Sequence, residues 1–159
     1  MRRRALIFTA VACLALGATA CGDSEPDESE RAIEAIDEIC DDWRLKLDER
    51  GGFPLDDFDP ENPSPEELRT VGDYFGSGEL AAEEALTALR ELSPPIEIEA
   101  DVNALISALE FQGEAARMQA HAARAGDVEG FKATLVDAGD TKATVKTAAD
   151  DLGATKCAF

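Results

Sequence analysis

Four stretches of this chain repeat apolar residues at alternating steps of three and four, which is the spacing of one face of an α-helix. The stretches cover residues 30–50, 64–92, 97–125 and 128–152. No stretch alternates apolar and polar residues as a half-buried strand does. Because most links between the stretches are short, consecutive helices should run in opposite directions. The pattern therefore predicts an all-α fold, an antiparallel four-helix bundle.

Start and stop signals delimit these helices. Glycine is typical just past a helix C-terminus, as at Gly51, Gly126 and Gly153. Ser64 is followed by Pro65-Glu66-Glu67, the pattern of a capping box with proline at the first helical position. Inside the second helix lies Gly76-Ser77-Gly78. Each interior glycine costs about 1 kcal/mol relative to alanine, so we expect a kink or a break there.

The third helix carries two apolar stripes, and two residues of the second stripe, Phe111 and Met118, are candidate binding residues. The stripes are Ile98, Val102, Leu105, Leu109, Gln112 and Ala116, and Ala104, Ala108, Phe111, Ala115, Met118 and Ala122. On a helical wheel they merge into an arc about 200° wide, roughly twice what a surface helix needs. We therefore expect this helix to be the most buried, with Phe111 and Met118 lining any cavity beside it.

The N-terminal residues have the pattern of an export signal. Arg2–Arg4 precede an apolar run over residues 5–16, and small residues, Ala18 and Ala20, stand before Cys21. This segment resembles the signal of bacterial lipoprotein precursors. The resemblance implies that residues 1–20 are removed and that Cys21 carries a diacylglyceryl group. Lipoproteins usually have a larger aliphatic residue where this chain has Ala18, and Ala18-x-Ala20 also fits ordinary signal peptidase, which would cut at the same place.

The lipoprotein resemblance also implies a disulfide. Cys13 is lost with the signal, and an exported protein with an odd cysteine number carries a reactive thiol or an intermolecular bridge. If Cys21 holds lipid, Cys40 and Cys157 remain as one pair. The apolar run is shorter than the ~20 residues that span a bilayer, which argues against an uncleaved anchor. Arg3-Arg4 fits either a general secretory or a twin-arginine signal.

The chain then divides into three parts. Residues 1–20 are the signal, residues 21–29 are the lipidated cysteine with an acidic tether, and residues 30–159 form one domain. The tether, residues 22–29, lacks apolar side chains and should be disordered. Its reach is about 15 Å. We expect the domain to sit close to the outer face of the bacterial cell membrane, held there by lipid.

The strong negative charge excludes two classes of partner. The net charge is −19, and it becomes −22 once Arg2–Arg4 leave with the signal. Such a field repels nucleic-acid phosphates, so we expect no binding of DNA or RNA. It also repels an anionic membrane surface, so attachment should depend on the lipid of Cys21.

The sequence lacks the sets of residues that common catalytic sites need. His121 is the only histidine, and on the wheel it falls among polar residues of the third helix. A di-iron bundle needs Glu-x-x-His facing inward, whereas Met118 stands three residues before this histidine. A nucleophile elbow and a cysteine set for zinc are also missing. The sequence therefore predicts a protein that is not an enzyme and has no cofactor.

The loop over residues 51–63 offers carboxylates to a cation. Asp57, Asp59 and Glu61 match the first three positions of an EF-hand calcium loop. The match ends there, because the sixth position is Asn62 instead of glycine and the twelfth is Leu68 instead of glutamate. A calcium site made by the three carboxylates is the alternative to no metal at all.

The same loop carries aromatic side chains. Phe53 and Phe58, with Leu55 between them, either fold back over one end of the bundle or stay exposed for a partner. Binding residues favour loops on rigid scaffolds, so both phenylalanines are candidate binding residues. We expect a non-catalytic interaction module that is presented to an envelope protein or an envelope polymer. The alternative is a bundle that binds a small ligand or a cation.

The lipoprotein interpretation makes a localisation test possible. Replacing the acceptor, Cys21→Ser, should release the protein into the medium or stall it as the precursor, because two acyl chains hold a soluble domain on a membrane and none remain. Cell fractionation with immunoblotting measures this. A variant that still sediments with membranes like the wild type would disprove the lipid attachment.

Overall fold

The computed structural model describes residues 27–158, and for residues 136–138 it describes the backbone alone. The signal segment, Cys21 and residues 22–26 of the predicted tether lie outside the described residues. The described part is mainly helical and contains no strand, so the all-α prediction is confirmed. Its elements are α1 (Glu28–Asp48), α2 (Pro65–Gly76), α3 (Glu79–Glu91), α4 (Glu99–Ala125), α5 (Val128–Leu152) and a 3₁₀ turn (Thr155–Cys157).

Helix α1 begins earlier than predicted. The Asp27 carboxylate accepts a hydrogen bond from the backbone N–H of Glu30 at 2.8 Å, and the Glu30 carboxylate accepts one from the N–H of Asp27 at 3.1 Å. This reciprocal pair is a capping box. Glu28 and Ser29, which we assigned to the disordered tether, are therefore helical, because the cap satisfies donors that would otherwise lack partners.

The expected interruption of the second helix is confirmed at Ser77–Gly78, between α2 and α3. Helix α2 starts with the predicted capping box, in which Ser64 and Glu67 exchange hydrogen bonds of 3.2 and 2.8 Å. The Ser64 hydrogen bonds lower the pKa of the Glu67 carboxyl. At the other end, the Ser77 hydroxyl donates to the backbone carbonyl of Tyr74 at 2.7 Å. A side chain that bonds the preceding turn competes with continuation of the helix.

Helices α4 and α5 form a hairpin with a very short turn. Gly126 takes the left-handed conformation at φ +69°, which L-residues with a Cβ rarely adopt. The next residue, Asp127, caps α5 by accepting from the N–H of Gly130 at 3.0 Å. Gly153 ends α5 in the same way as Gly126 ends α4, at φ +83°. The predicted ends of both helices and the predicted start of α5 are therefore correct, whereas α4 begins at Glu99, two residues later than predicted.

The core consists of two apolar clusters placed one after the other along α4. The first gathers α1, α3, the N-terminal half of α4 and the C-terminal part of α5 around residues that include Ile36, Leu89, Leu105, Leu109 and Val145. The second gathers α2, the C-terminal half of α4 and the start of α5 around Leu68, Val71, Ala122, Ala123 and Phe131. Helix α4 alone contributes nine buried residues.

Close packing of α2 on α4 depends on a small residue. A Cβ built on Gly72 would lie 2.7 Å from the backbone nitrogen of Arg124, closer than real Cβ contacts come. The Arg124 side chain then runs along α2 and reaches both sides of the Ser77–Gly78 break. Its Nε lies 3.5 Å from a carboxylate oxygen of Asp73 in α2, and its Nη1 lies 3.8 Å from one of Glu79 in α3.

The apolar arc predicted for α4 is wrong in one sector. Phe111 is 60% exposed and Met118 is 45% exposed, and Ala104 on the same stripe is also exposed. The other half of that stripe, Ala108, Ala115 and Ala122, is buried. Helix α4 packs against α5, α2 and α3, and these neighbours cover a narrower arc than its apolar residues occupy. We call Ala104, Phe111 and Met118 the outer face of α4.

The predicted disulfide is confirmed. Cys40 in the middle of α1 is joined to Cys157 in the 3₁₀ turn, with their Cα atoms 5.1 Å apart, and both are buried. The backbone N–H of Lys156 donates to the Asp37 carboxylate at 2.8 Å, which adds a second link to α1. The segment after α5 is therefore fixed across the first apolar cluster.

Removal of the bridge should lower stability strongly. The loop that it closes spans 117 residues, and loss of a native disulfide typically costs about 2–5 kcal/mol. The double variant Cys40→Ala/Cys157→Ala should therefore melt well below the wild type in thermal unfolding followed by circular dichroism.

Wild type in reductant is the matched control, because it keeps both sulfur atoms and lacks only the bond. It should melt near the double variant. If mass analysis without reductant found two free thiols, the pairing and the attachment of the 3₁₀ turn to α1 would both be refuted.

Candidate functional site

A groove of about 570 Å³ lies between the C-terminal half of α1, α3 and the middle of α4. We call it the α1–α3–α4 groove. Its apolar lining includes Trp43 and Leu47 from α1, Leu86 from α3 and Leu109 from α4. Trp43 and Leu109 are buried, while Leu47 and Leu86 are half-buried. Ligand sites in proteins commonly have this size and a mainly apolar lining with a few polar groups.

Ion pairs across the groove fix the direction of α3 relative to α4. Near one end of α3, Arg90 donates from Nε and Nη2 to one oxygen of Glu110, at 3.2 and 2.6 Å. About two turns earlier in α3, Glu83 lies 4.0 Å from Arg117 of α4. The later residue of α3 thus pairs with the earlier residue of α4, and the earlier residue of α3 with the later one of α4. The two helices are therefore antiparallel. All four side chains are exposed, and such pairs contribute little to stability.

A second connection holds α3 to α1 on the opposite side. The Lys46 ammonium lies 2.9 Å from Asp42 and 3.0 Å from Glu84. Hydrogen bonds to Asp42 and then Glu84 raise the pKa of Lys46 to about 12. The lysine therefore stays charged at neutral pH, and it joins α3 to α1 along this edge.

Arg50 closes one end of the groove. Its Nε donates to the carbonyl of Leu47 at 3.1 Å, and its Nη1 donates to the carbonyl of Tyr74 at 3.0 Å. Its guanidinium lies over the Tyr74 ring, 4.5 Å from the centroid. Among the side chains that the structure describes, no carboxylate oxygen comes within 4.0 Å of this guanidinium. Arg90 and Arg117, which also line the groove, both have carboxylate partners.

Gly113 lines the middle of the groove on α4. A Cβ built on it would find no atom within 4 Å, apart from its own helix backbone and chain neighbours. Its backbone has ordinary helical geometry, because no positive φ is found there. Neither a turn nor a close helix contact therefore requires glycine at this position, and its effect is to leave the groove wider.

The outer face of α4 is a separate apolar surface. Phe111 and Met118 are seven residues apart, so they stand on one side of the helix about 10 Å apart along its axis. Neither lines the α1–α3–α4 groove. The prediction that these two residues line a cavity is therefore wrong, and the groove is formed by the neighbouring sector of the same helix.

The aromatic loop after α1 folds back over one end of the bundle. Phe58 packs on the second apolar cluster, with its ring centroid 6.0 Å from that of Phe131. Phe53 lies 5.6 Å from Phe58 and 5.4 Å from Tyr74, and remains 40% exposed. Phe58 is thus a packing residue, whereas Phe53 keeps part of its ring in solvent.

The carboxylates of this loop do not assemble into a calcium site. One Asp59 oxygen accepts from the N–H of Glu61 at 2.9 Å, and the other accepts from the Asn62 amide at 3.1 Å. The Asn62 hydrogen bond is the main cause of the lowered pKa of Asp59. In the part of the chain that the structure describes, no group of three His, Cys, Asp or Glu residues is arranged to hold a metal, so Asp57, Asp59 and Glu61 do not form one.

Two groove residues were not recognised in the sequence. Gly113 could have been recognised, because a glycine near the middle of a 27-residue helix, far from either cap, is unusual. Arg50 carried none, because its position at the groove depends on how α1 packs against α2 and α3.

Comparisons with protein-family models, curated proteins and solved structures find no match for this chain. Among the described helices, none combines the length and the apolar character that crossing a membrane requires.

The single histidine offers a test of whether any chemistry uses it. His121 lies exposed on α4, as the wheel predicted. His121→Ala should therefore change the free energy of unfolding by no more than about 0.5 kcal/mol, the usual range for surface substitutions. Chemical denaturation and elemental analysis of metal content measure the effect. Loss of a bound metal or of a measurable activity in this variant would contradict a non-enzymatic protein.

Proposed function

We propose that this chain is an exported lipoprotein, held by lipid on Cys21 at the outer face of the bacterial cell membrane, which acts by binding another protein and not by catalysis. The pattern of residues 1–21 supports this location. We also propose that the fold is an antiparallel four-helix bundle in which α2 and α3 together take the place of one broken helix. The α4–α5 hairpin and the antiparallel α3–α4 pair support that topology.

The outer face of α4 is the observation that carries the binding proposal. It exposes an aromatic and a methionine side chain on a rigid helix. Aromatic residues and methionine are enriched at the centres of protein interfaces relative to the rest of the surface. A contact there would cover apolar area that the fold itself leaves in water.

The charge of the chain indicates the chemistry of the partner. Glu110 and Glu114 flank Phe111 in sequence, and the whole chain has a net charge of −19. Two copies of such a chain repel each other, because net charge far from zero keeps proteins monomeric. The partner should therefore be a different envelope protein, with an apolar patch that has basic residues around it.

A second candidate function is supported by the α1–α3–α4 groove. Its volume of about 570 Å³ and its apolar lining suit a small ligand. This candidate does not depend on the outer face of α4, since Phe111 and Met118 lie outside the groove.

Site-specific crosslinking in cells tests the protein-binding proposal. A photoreactive phenylalanine analogue at position 111 should yield a discrete crosslinked adduct with one envelope protein after irradiation. The change Met118→Glu should abolish that adduct, because it places a charge in the centre of the contact. Its effect on the free energy of unfolding should stay within about 0.5 kcal/mol, as for other exposed positions.

Leu45 is the matched control position. It is apolar and 53% exposed on α1, yet it stands away from the outer face of α4. The same analogue at position 45 should give no such adduct. Equal adducts at both positions, or none at position 111, would overturn the proposed binding face.

A further inference from the structure

We infer that the α1–α3–α4 groove binds a single-chain fatty acid, with the carboxylate on Arg50 and the acyl chain along the apolar floor. This inference deepens the second candidate function by naming its ligand class. It is independent of the outer face of α4, and it stands if that face binds nothing.

The shape of the groove favours a long chain over a compact ring. Its lining extends along α3 from Gly78 to Arg90. These positions are twelve residues apart, which corresponds to about 18 Å along a helix axis. Over that length, Leu47, Leu86 and Leu109 present apolar surface to the groove. An elongated groove with a mainly apolar lining is covered best by an acyl chain lying along it.

The hydrogen bonds of Arg50 indicate which head group the ligand carries. A guanidinium has five N–H donors in a fixed fork, and here Nε and Nη1 each hold one backbone carbonyl. The Tyr74 ring and the two carbonyls hold the fork in place. In the described residues no carboxylate of the protein lies within 4.0 Å of it, although the chain has 34 acidic side chains. Arginine pairs with a carboxylate through two parallel hydrogen bonds, so a fatty-acid carboxylate is its natural counter-ion at this end.

Gly113 gives an independent reason to regard the groove as a site. A helix with glycine in its interior is less stable than the same helix with alanine, and no packing contact at this position requires glycine. Any larger side chain would project into the middle of the groove and take the space of the acyl chain. The glycine thus leaves space along the groove between Arg50 at one end and Arg90 at the other.

Trp43 makes the test direct, because it is the only tryptophan of the chain and it lines the groove. The probe is dibrominated octadecanoate, whose bromines quench indole fluorescence on contact. The full chain in nanodiscs of unbrominated zwitterionic lipid should show saturable quenching. Unbrominated fatty acids of increasing length should displace the probe, each added methylene tightening binding about fourfold until the groove is filled.

Three variants locate the binding site. Gly113→Leu should weaken binding at least about tenfold while leaving the melting temperature unchanged or higher, because leucine is the better helix former. Gly139→Leu is its matched control: Gly139 is also a helical glycine with open space around it, but it lies on α5 outside the groove. It should bind like the wild type. Ala116→Leu, at an exposed groove position, is the second blocking variant if Gly113→Leu melts early.

The head group is tested with Arg50→Gln. This change should weaken binding of the acid about tenfold or more, the loss expected for hydrogen bonds to a charged group. It should leave binding of the methyl ester unchanged, and a structural role of Arg50 would lower both. Equal effects on acid and ester would overturn the head-group assignment.

Other outcomes refute the site or separate it from the first proposal. Unsaturable quenching, or equal quenching in Gly113→Leu, Ala116→Leu and wild type, would overturn the fatty-acid site. In Phe111→Ser, the brominated probe should quench Trp43 fluorescence as it does in the wild type. If it does, while crosslinking at position 111 fails, the groove proposal survives the failure of the protein-binding proposal.

Discussion

Burial of apolar side chains along α4 is the interaction on which the other helices depend. The N-terminal half of this helix completes one apolar cluster with α1, α3 and the end of α5, and its C-terminal half completes another with α2 and the start of α5. Neither cluster is closed without it. Many of its buried residues are alanines, which bury little area each. Close backbone approach, as at Gly72, and the Cys40–Cys157 bridge therefore carry more of the stability than they would in a leucine-rich bundle.

The same arrangement explains the two apolar surfaces described above, the α1–α3–α4 groove and the outer face of α4. Helix α3 is short and follows α2 after a break, so it reaches α4 through the ion pairs of Arg90 and Arg117 and through the edge of the first cluster. Space remains between the two helices, and Gly113 widens it. On the other flank of α4 no described helix covers Phe111 and Met118. One surface is a concave strip, which suits a ligand chain, and the other is a convex one, which suits a protein.

Local features of the fold were predictable, and the site was not. Helical spacing and terminal signals placed α4, α5 and the interruption at Ser77–Gly78, because they depend on neighbouring residues alone. The Cys40–Cys157 pair followed from cysteine parity once Cys21 was assigned to lipid. Periodicity reports which residues are apolar, but not how many helices will cover them, so Phe111 and Met118 were wrongly placed beside a cavity. The position of Arg50 depends on three helices at once and has no local signature.

The contacts that seat α3 have a consequence for the medium in which the protein works. Arg90–Glu110, Arg117–Glu83 and Arg124–Glu79 all join this helix to α4, and all are exposed. Dissolved ions screen such pairs, with a Debye length of about 10 Å at 0.1 M and about 3 Å at 1 M. Lys46 with Glu84 secures the other edge in the same exposed way. The width of the groove therefore depends in part on the ionic strength of the surrounding medium.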